Sequence, residues 1–119
     1  MIIIEGAFEK SKHKFKYYRD NETQIELIDN KQYWGTDGEL PKTQYKNITV
    51  KIGKSVFALP KSALENLYEV NLDSTETYFD KDRNIIYIIS SNSDGAGYYE
   101  VIWKIEKATY KDRLVAHGF

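Results

Sequence analysis

The chain has 119 residues, no cysteine and a formal net charge of −1. Those facts exclude a disulfide framework, a zinc–thiolate site and a cysteine nucleophile, and they argue against a general nucleic-acid binder, whose surface is strongly basic. Apolar residues make up 41% and charged residues 29%, with two prolines and seven glycines, which is globular composition at the size of a single domain over residues 1–119.

The N-terminal Ile2-Ile3-Ile4 reads as a short buried strand. Its apolar stretch stops at Glu5, too short for a secretory signal, and the later run Ile85 to Ile89 is far below a membrane span. The chain is therefore expected to stay in the cytoplasm, off the membrane. Lys12 to Tyr18 alternates, with His13, Phe15 and Tyr17 on one side and Lys12, Lys14 and Lys16 on the other, the pattern of a half-buried strand. A polar turn then leads to a second strand over Thr23 to Ile28. Residues 29–46 have no period and hold Gly35, Gly38 and Pro41, so a long loop carrying Tyr33 and Trp34 is expected there.

The clearest hairpin comes next. Ile48 to Ile52 meets Ser55 to Leu59 across Gly53-Lys54, a two-residue loop with glycine first, as a type II′ turn requires. That register sets Ile52 against Ser55, Val50 against Phe57 and Ile48 against Leu59. One helix is expected, at about residues 60–70, opened by Pro60 in its first turn. Ala63, Leu64, Leu67 and Tyr68 would form its inward stripe. Glu65, Glu69 and Asp73, spaced i, i+4 and i+8, would share its outer face.

The last third reads as a meander. Glu76 to Phe79 is a strand, residues 80–84 a turn, and Ile85 to Ile89, apolar on both faces, a central strand. Tyr99, Val101, Trp103 and Ile105 alternate with Glu100, Ile102, Lys104 and Glu106, and Tyr110 to His117 closes the chain. The fold class is α+β, a predominantly antiparallel sheet of hairpins and meander with about seven or eight strands and one helix.

The chemistry these residues offer is thin. His13 and His117 have no second histidine at ligand spacing, and Ser91 to Gly95 echoes a calcium loop without its first aspartate or its closing glutamate. No Gly-x-Ser-x-Gly elbow is present. The Gly-x-Gly of Asp94-Gly95-Ala96-Gly97 precedes a strand-like segment, not a helix, so it lacks the setting of a phosphate cradle. Lys12, Lys14 and Lys16 with Tyr18 could track a single strand of nucleic acid, but lysines also guard sheet edges, and the near-neutral charge favours that reading. No catalytic, cofactor or metal residues are expected, and no enzyme.

Two features suit a protein partner. One is the aromatic pair Tyr33-Trp34, of the kind that anchors interfaces. It could equally plug the end of the sheet. The other is the acidic stretch Glu65, Glu69, Asp73, Glu76, Asp80 and Asp82, which could equally be a solvated face.

The C-terminal half carries a pattern: Leu59-Pro60-Lys61-Ser62-Ala63-Leu64, then Ser93-Asp94-Gly95-Ala96-Gly97-Tyr98-Tyr99-Glu100-Val101-Ile102-Trp103, then Ile105-Glu106 to Arg113 and Phe119. Over about residues 59–119 this resembles small bacterial proteins, some of them similar to immunity proteins of polymorphic-toxin and contact-dependent growth-inhibition systems. Where such sequences would carry Asn-Gly in the last hairpin turn, this chain has Lys107-Ala108. The resemblance implies no catalytic residues. It implies a cytoplasmic protein that neutralises a cognate toxin domain by occlusion, with Glu65, Glu69, Asp73 and Glu76 as the first contact surface and Tyr33 and Trp34 as the second. A small β-rich ligand-binding module or enzyme, or a self-assembling structural protein, remains open beside it, as does the oligomeric state.

Overall fold

The computed structural model describes residues 2–117, so Phe119, the last residue of the family-like pattern, lies outside the described residues. Strands β1 (Ile2–Ala7), β4 (Thr43–Ile52) and β5 (Ser55–Ala58) form an antiparallel sheet in the order β1-β4-β5. Strands β2 (Phe15–Tyr18) and β3 (Asn21–Ile28) form a separate hairpin. Strands β6 (Thr75–Asp80), β7 (Ile85–Asn92), β8 (Tyr99–Glu106) and β9 (Thr109–His117) make a four-stranded meander in chain order. Among the described residues the one α-helix is α1, Lys61–Leu64. The architecture is thus the β-rich α+β class expected from the sequence.

The hairpin β4–β5 has the anticipated register: Ile52 opposes Ser55, Val50 opposes Phe57, and the Leu59 N–H donates to the Ile48 carbonyl at 2.9 Å. Gly53 takes the positive φ of 59° that the first turn position demands. Strand β8 alternates as its sequence does. Tyr99, Val101, Trp103 and Ile105 are all buried and face Ile48 and Val50 of β4, with Ile88 of β7, across the main core. Trp103 is fully buried, T-stacked on Tyr45 at 5.3 Å, and its Nε1–H donates to the Ala63 carbonyl at 2.8 Å. Truncating such a residue costs about 3–5 kcal/mol. A smaller core of Ile25, Ile28 and Tyr68, flanked by Phe8, Phe15 and Tyr33, lies under the β2–β3 hairpin. With two cores the molecule is elongated, 52 × 30 × 22 Å.

Three expectations change. The helix anticipated to about residue 70 stops after one turn. Glu65 is extended, Asn66 adopts a left-handed φ of 55°, and Glu69 does so again. Residues 66–70 instead run as an extended strap with backbone partners on several sides. The Trp34 N–H donates to the Asn66 carbonyl, Tyr68 N–H to the Trp34 carbonyl, Glu69 N–H to the Thr43 carbonyl and Ser93 N–H to the Glu69 carbonyl, all at 2.9–3.1 Å. These long-range bonds replace the i→i−4 ladder that a helix would need. The carbonyls at the end of α1 are met by side chains: Arg113 donates to Ala63 and Glu65 carbonyls at 3.1 and 2.8 Å, and to Asn66 Oδ1 at 2.6 Å. Ala63, Leu64, Leu67 and Tyr68 are nonetheless all buried.

The loop over residues 29–46 ends early, because Thr43 to Tyr45 already belong to β4, paired with β1. The strand anticipated from Lys12 starts only at Phe15. Lys10–Lys12 form a 3-10 turn, closed by the Lys12 N–H to Glu9 carbonyl bond at 3.0 Å and the Lys12–Glu9 ion pair at 2.6 Å. Tyr17 leaves the inward row because an extra residue, Glu26, sits between its partner Ile25 and Leu27.

The last turn shows how the chain manages without Asn-Gly. Lys107 and Ala108 both take left-handed φ, 51° and 62°, as a type I′ hairpin demands. Each L-residue held there costs roughly 1–2 kcal/mol, and asparagine and glycine cost less. The double change Lys107→Asn with Ala108→Gly is therefore expected to stabilise the protein by about 1–2 kcal/mol, read as a higher urea midpoint at unchanged slope. A lower midpoint would show that the turn is not type I′.

Candidate functional site

The structure disperses the acidic group proposed from the sequence. Without a helix beyond Leu64, Glu65, Glu69 and Asp73 share no helical face. Glu65 pairs with Lys31 at 2.8 Å. Glu69 turns its carboxylate to the Lys42 N–H at 2.5 Å, tying the strap to the start of β4. Asp73 lies in the exposed 3-10 turn Leu72–Ser74. Glu76 sits on β6 and accepts the Tyr78 hydroxyl at 2.7 Å; that hydrogen bond, followed by the carboxylate's charge, holds the exposed phenol above its ordinary pKa. The aromatic pair is used internally. Tyr33 donates its hydroxyl to the Ile25 carbonyl at 2.6 Å, and burial raises its pKa. Trp34 packs between Tyr99 and His117, with ring centroids 6.1 and 4.9 Å away, at the end of the four-stranded sheet.

Glu76 leads to a surface that no run of sequence displays. The core side of the meander packs on β4, so its other side faces outward. The register sets Glu76, Ile89, Ile102 and Leu114 in one row straight across all four strands. The next row is Tyr78, Tyr87, Lys104 and Asp112. Ile89, Ile102 and Tyr87 are half-buried, while Leu114 is 63% and Tyr78 54% exposed. None of these side chains belongs to or packs against either core cluster. The carboxylates on this face are Glu76, Asp80, Glu100, Glu106 and Asp112; the cations beside them are Lys104, the bulge residue Lys111 and Arg83, which pairs with Asp80 at 3.9 Å. The result is an apolar band in an acidic surround.

This placement also revises the reading of Ile85 to Ile89. The run is central, between β6 and β8; Ile86 and Ile88 pack in the main core, while on the other face Ile85 is buried and Tyr87 and Ile89 are only half-buried. An antiparallel sheet with a wet face normally alternates apolar-in with polar-out, and a contiguous apolar patch is the informative exception. The signal for it was the second apolar face of that run, together with Ile102 and Leu114 at the alternate positions of β8 and β9.

Other chemistries find little support here. No group of three or more histidine, aspartate or glutamate side chains is placed to hold a metal among the described residues. Likewise, no helix there is long and apolar enough to cross a membrane. The Asp94–Gly97 segment is a packed connection: Gly97 lies against the backbone of Gly35, and Ser93 Oγ donates to the Gly35 carbonyl at 2.5 Å. No protein-family model, no curated protein and no solved structure matches the chain.

Proposed function

We propose that this chain is a binding protein that neutralises a toxin domain by covering it, as its C-terminal sequence resemblance implies, and that the outer face of the four-stranded sheet is the contact surface. The observation that carries the reading is the row Ile89–Ile102–Leu114 within its acidic surround. Apolar area that the fold leaves wet gains about 25 cal/mol per Å² when a partner covers it. The flanking carboxylates select a partner with a basic rim and steer the encounter. The same carboxylates disfavour a second copy of this chain as the occupant, since like charges would face one another. The mechanism is occlusion. The chain contributes shape, an apolar centre and charge, and no reacting group.

On this reading Glu76 is a contact residue, whereas Glu65, Glu69 and Asp73 serve the strap and its neighbourhood. The test is capture of partners by the tagged chain from a lysate of its own cells, followed by co-expression with a captured partner whose C-terminal domain is toxic alone. The wild-type protein is expected to restore growth and to form a one-to-one complex. Leu114→Arg is expected to weaken that complex at least about a hundredfold, close to 3 kcal/mol, by placing a cation in the apolar centre and facing the partner's basic rim. Glu65→Lys should leave it unchanged. Wild-type affinity in Leu114→Arg would remove this face, and failure of the wild-type protein to bind or protect would remove the immunity reading itself.

A further inference from the structure

A cleft of about 440 Å³ opens where the 3-10 turn before β2, the β3 end, β4 and α1 meet. Lys12, Lys31, Lys46 and Lys61 line it, with His13 and Asp29. The carboxylates there, Asp29 and Glu65, are already committed. Asp29 accepts His13 Nδ1–H at 2.6 Å and the Lys14 N–H at 2.9 Å, and Glu65 holds Lys31. Lys46 and Lys61 have no ion pair among the described residues. Lys12 is paired with Glu9 and Lys31 with Glu65, so the positive charge left to the cleft is that of Lys46 and Lys61.

Two details of local structure aim these groups. Lys46 is the extra residue of a β-bulge: Ile4 pairs with Asn47 and Glu5 with Tyr45, leaving Lys46 unopposed. A bulge of this kind redirects a side chain and is common beside functional sites. The Lys46 stem then crosses Gly6, where a Cβ would collide with it. His13 is held as firmly. Its ring stacks on Phe8 at 4.3 Å, it is 15% exposed, and Asp29 fixes its Nδ1, so Nε2 is its remaining polar atom. Asp29 is presented by a tight turn in which it and Asn30 both take positive φ, closed by Ile28–Lys31 backbone bonds of 3.0 and 3.1 Å. Burial works against the charge on Asp29, but the Lys14 N–H and His13 outweigh it and hold the carboxyl below its ordinary pKa. Ammonium groups without an ion pair suit phosphate oxygens, and the imidazole Nε2 can accept a phosphate P–OH. The remaining wall, Ile28, Leu64 and Tyr68, is apolar, and the volume falls within the range of small-ligand sites.

We infer that this cleft binds a small phosphate-bearing ligand, with phosphate oxygens on Lys46 and Lys61, a phosphate P–OH donating to His13 Nε2, and the rest of the molecule against Ile28 and Leu64. The inference does not depend on the sheet face described above. It is tested by titrating the isotopically labelled full chain with adenosine monophosphate and, separately, with inorganic phosphate at fixed pH and ionic strength. The readouts are the His13 ring and the Lys46 and Lys61 side-chain resonances. Saturable shifts with a dissociation constant below about 1 mM are expected for at least one probe. Tighter binding of the nucleotide identifies an esterified phosphate as the occupant, and equal affinity identifies free phosphate. Lys46→Gln with Lys61→Gln should weaken binding at least tenfold, whereas Lys51→Gln with Lys54→Gln, on the β4–β5 hairpin, should not. Absence of saturation with both probes, the same affinity in the Lys46/Lys61 double variant, or an equal response to chloride would overturn it.

Discussion

Gly35→Ala is expected to lower stability by about 3 kcal/mol or more, seen as a large drop in the urea midpoint. Gly35 is buried at a φ of 121°, outside even the left-handed region that L-residues visit at modest cost. A Cβ there would run into the Tyr68 backbone carbonyl, which belongs to the strap and cannot turn aside as a flexible side-chain end could. The strap is held from several directions. Tyr68 N–H donates to the Trp34 carbonyl, and the Tyr99 hydroxyl donates to the Tyr68 carbonyl at 2.7 Å. Gly97 and Ser93 press on Gly35 from a third side, so the methyl group has no route of escape. Gly53→Ala is the internal control. Its φ of 59° is also positive, but a Cβ would meet open space, so the cost is only the backbone penalty of an L-residue at a type II′ position, about 1–3 kcal/mol. Equal losses in the two variants would mean that the close approach at Gly35 contributes nothing.

That junction also explains which parts of the fold were legible in the sequence. Hairpin β4–β5 and strand β8 could be read because a period of two and a two-residue turn are local signals, complete within about ten residues. The segment after Pro60 could not. Ala63, Leu64, Leu67 and Tyr68 fall at helical spacing, and all four are buried, but an extended strap between two layers buries them equally well. The bonds that decide between the alternatives come from Trp34, Thr43 and Asn92, far away in the chain. The one local warning was Asn66, a residue that readily takes the left-handed conformation that ends a helix.

The candidate surfaces follow the same division. The second apolar face of Ile85 to Ile89 was visible in the sequence, but whether a layer would cover it depends on how many elements reach that side, and among the described residues Tyr87 and Ile89 stay half-buried there. His13 was visible as an inward residue of an alternating segment. Its partner Asp29 lies sixteen residues on, in a turn with no periodicity, and Lys46 reaches the same cleft only because a bulge breaks the phase of β4. Such a constellation is a product of tertiary structure, and no spacing rule on a single strand or helix would have assembled it.

Asn92→Ala is expected to cost about 3 kcal/mol, because Asn92 bonds at once to groups on β4, β7, β8 and the end of the strap. It is fully buried at the end of β7. Its Nδ2 donates to the Tyr45 and Tyr99 hydroxyls at 2.8 and 3.2 Å, and its Oδ1 accepts the Ser90 hydroxyl at 3.0 Å and the Asn71 N–H at 2.8 Å. Those partners stand on β4, β7, β8 and the end of the strap. Every buried side-chain polar atom among the described residues is satisfied, so removing the amide strands groups that have no water to turn to. Burial pushes the Tyr45 and Tyr99 phenols up in pKa, which keeps both as neutral hydroxyls across the ordinary pH range. Part of the cost is the small cavity, at about 24 cal/mol per Å³, and the rest is the Asn71 N–H left without its acceptor and the bonds that the Tyr45 and Tyr99 hydroxyls accept, while both phenols keep their own donor bonds. Tyr99→Phe separates these contributions. It removes one hydroxyl that donates to the Tyr68 carbonyl while keeping the ring in place, and should cost about 1–2 kcal/mol. Because Tyr99 and Asn92 touch, the double variant should lose less than the sum of the two single losses, by at least about 0.5 kcal/mol. Strict additivity would mean that the network acts as separate bonds, and that the layers are held in register by packing alone.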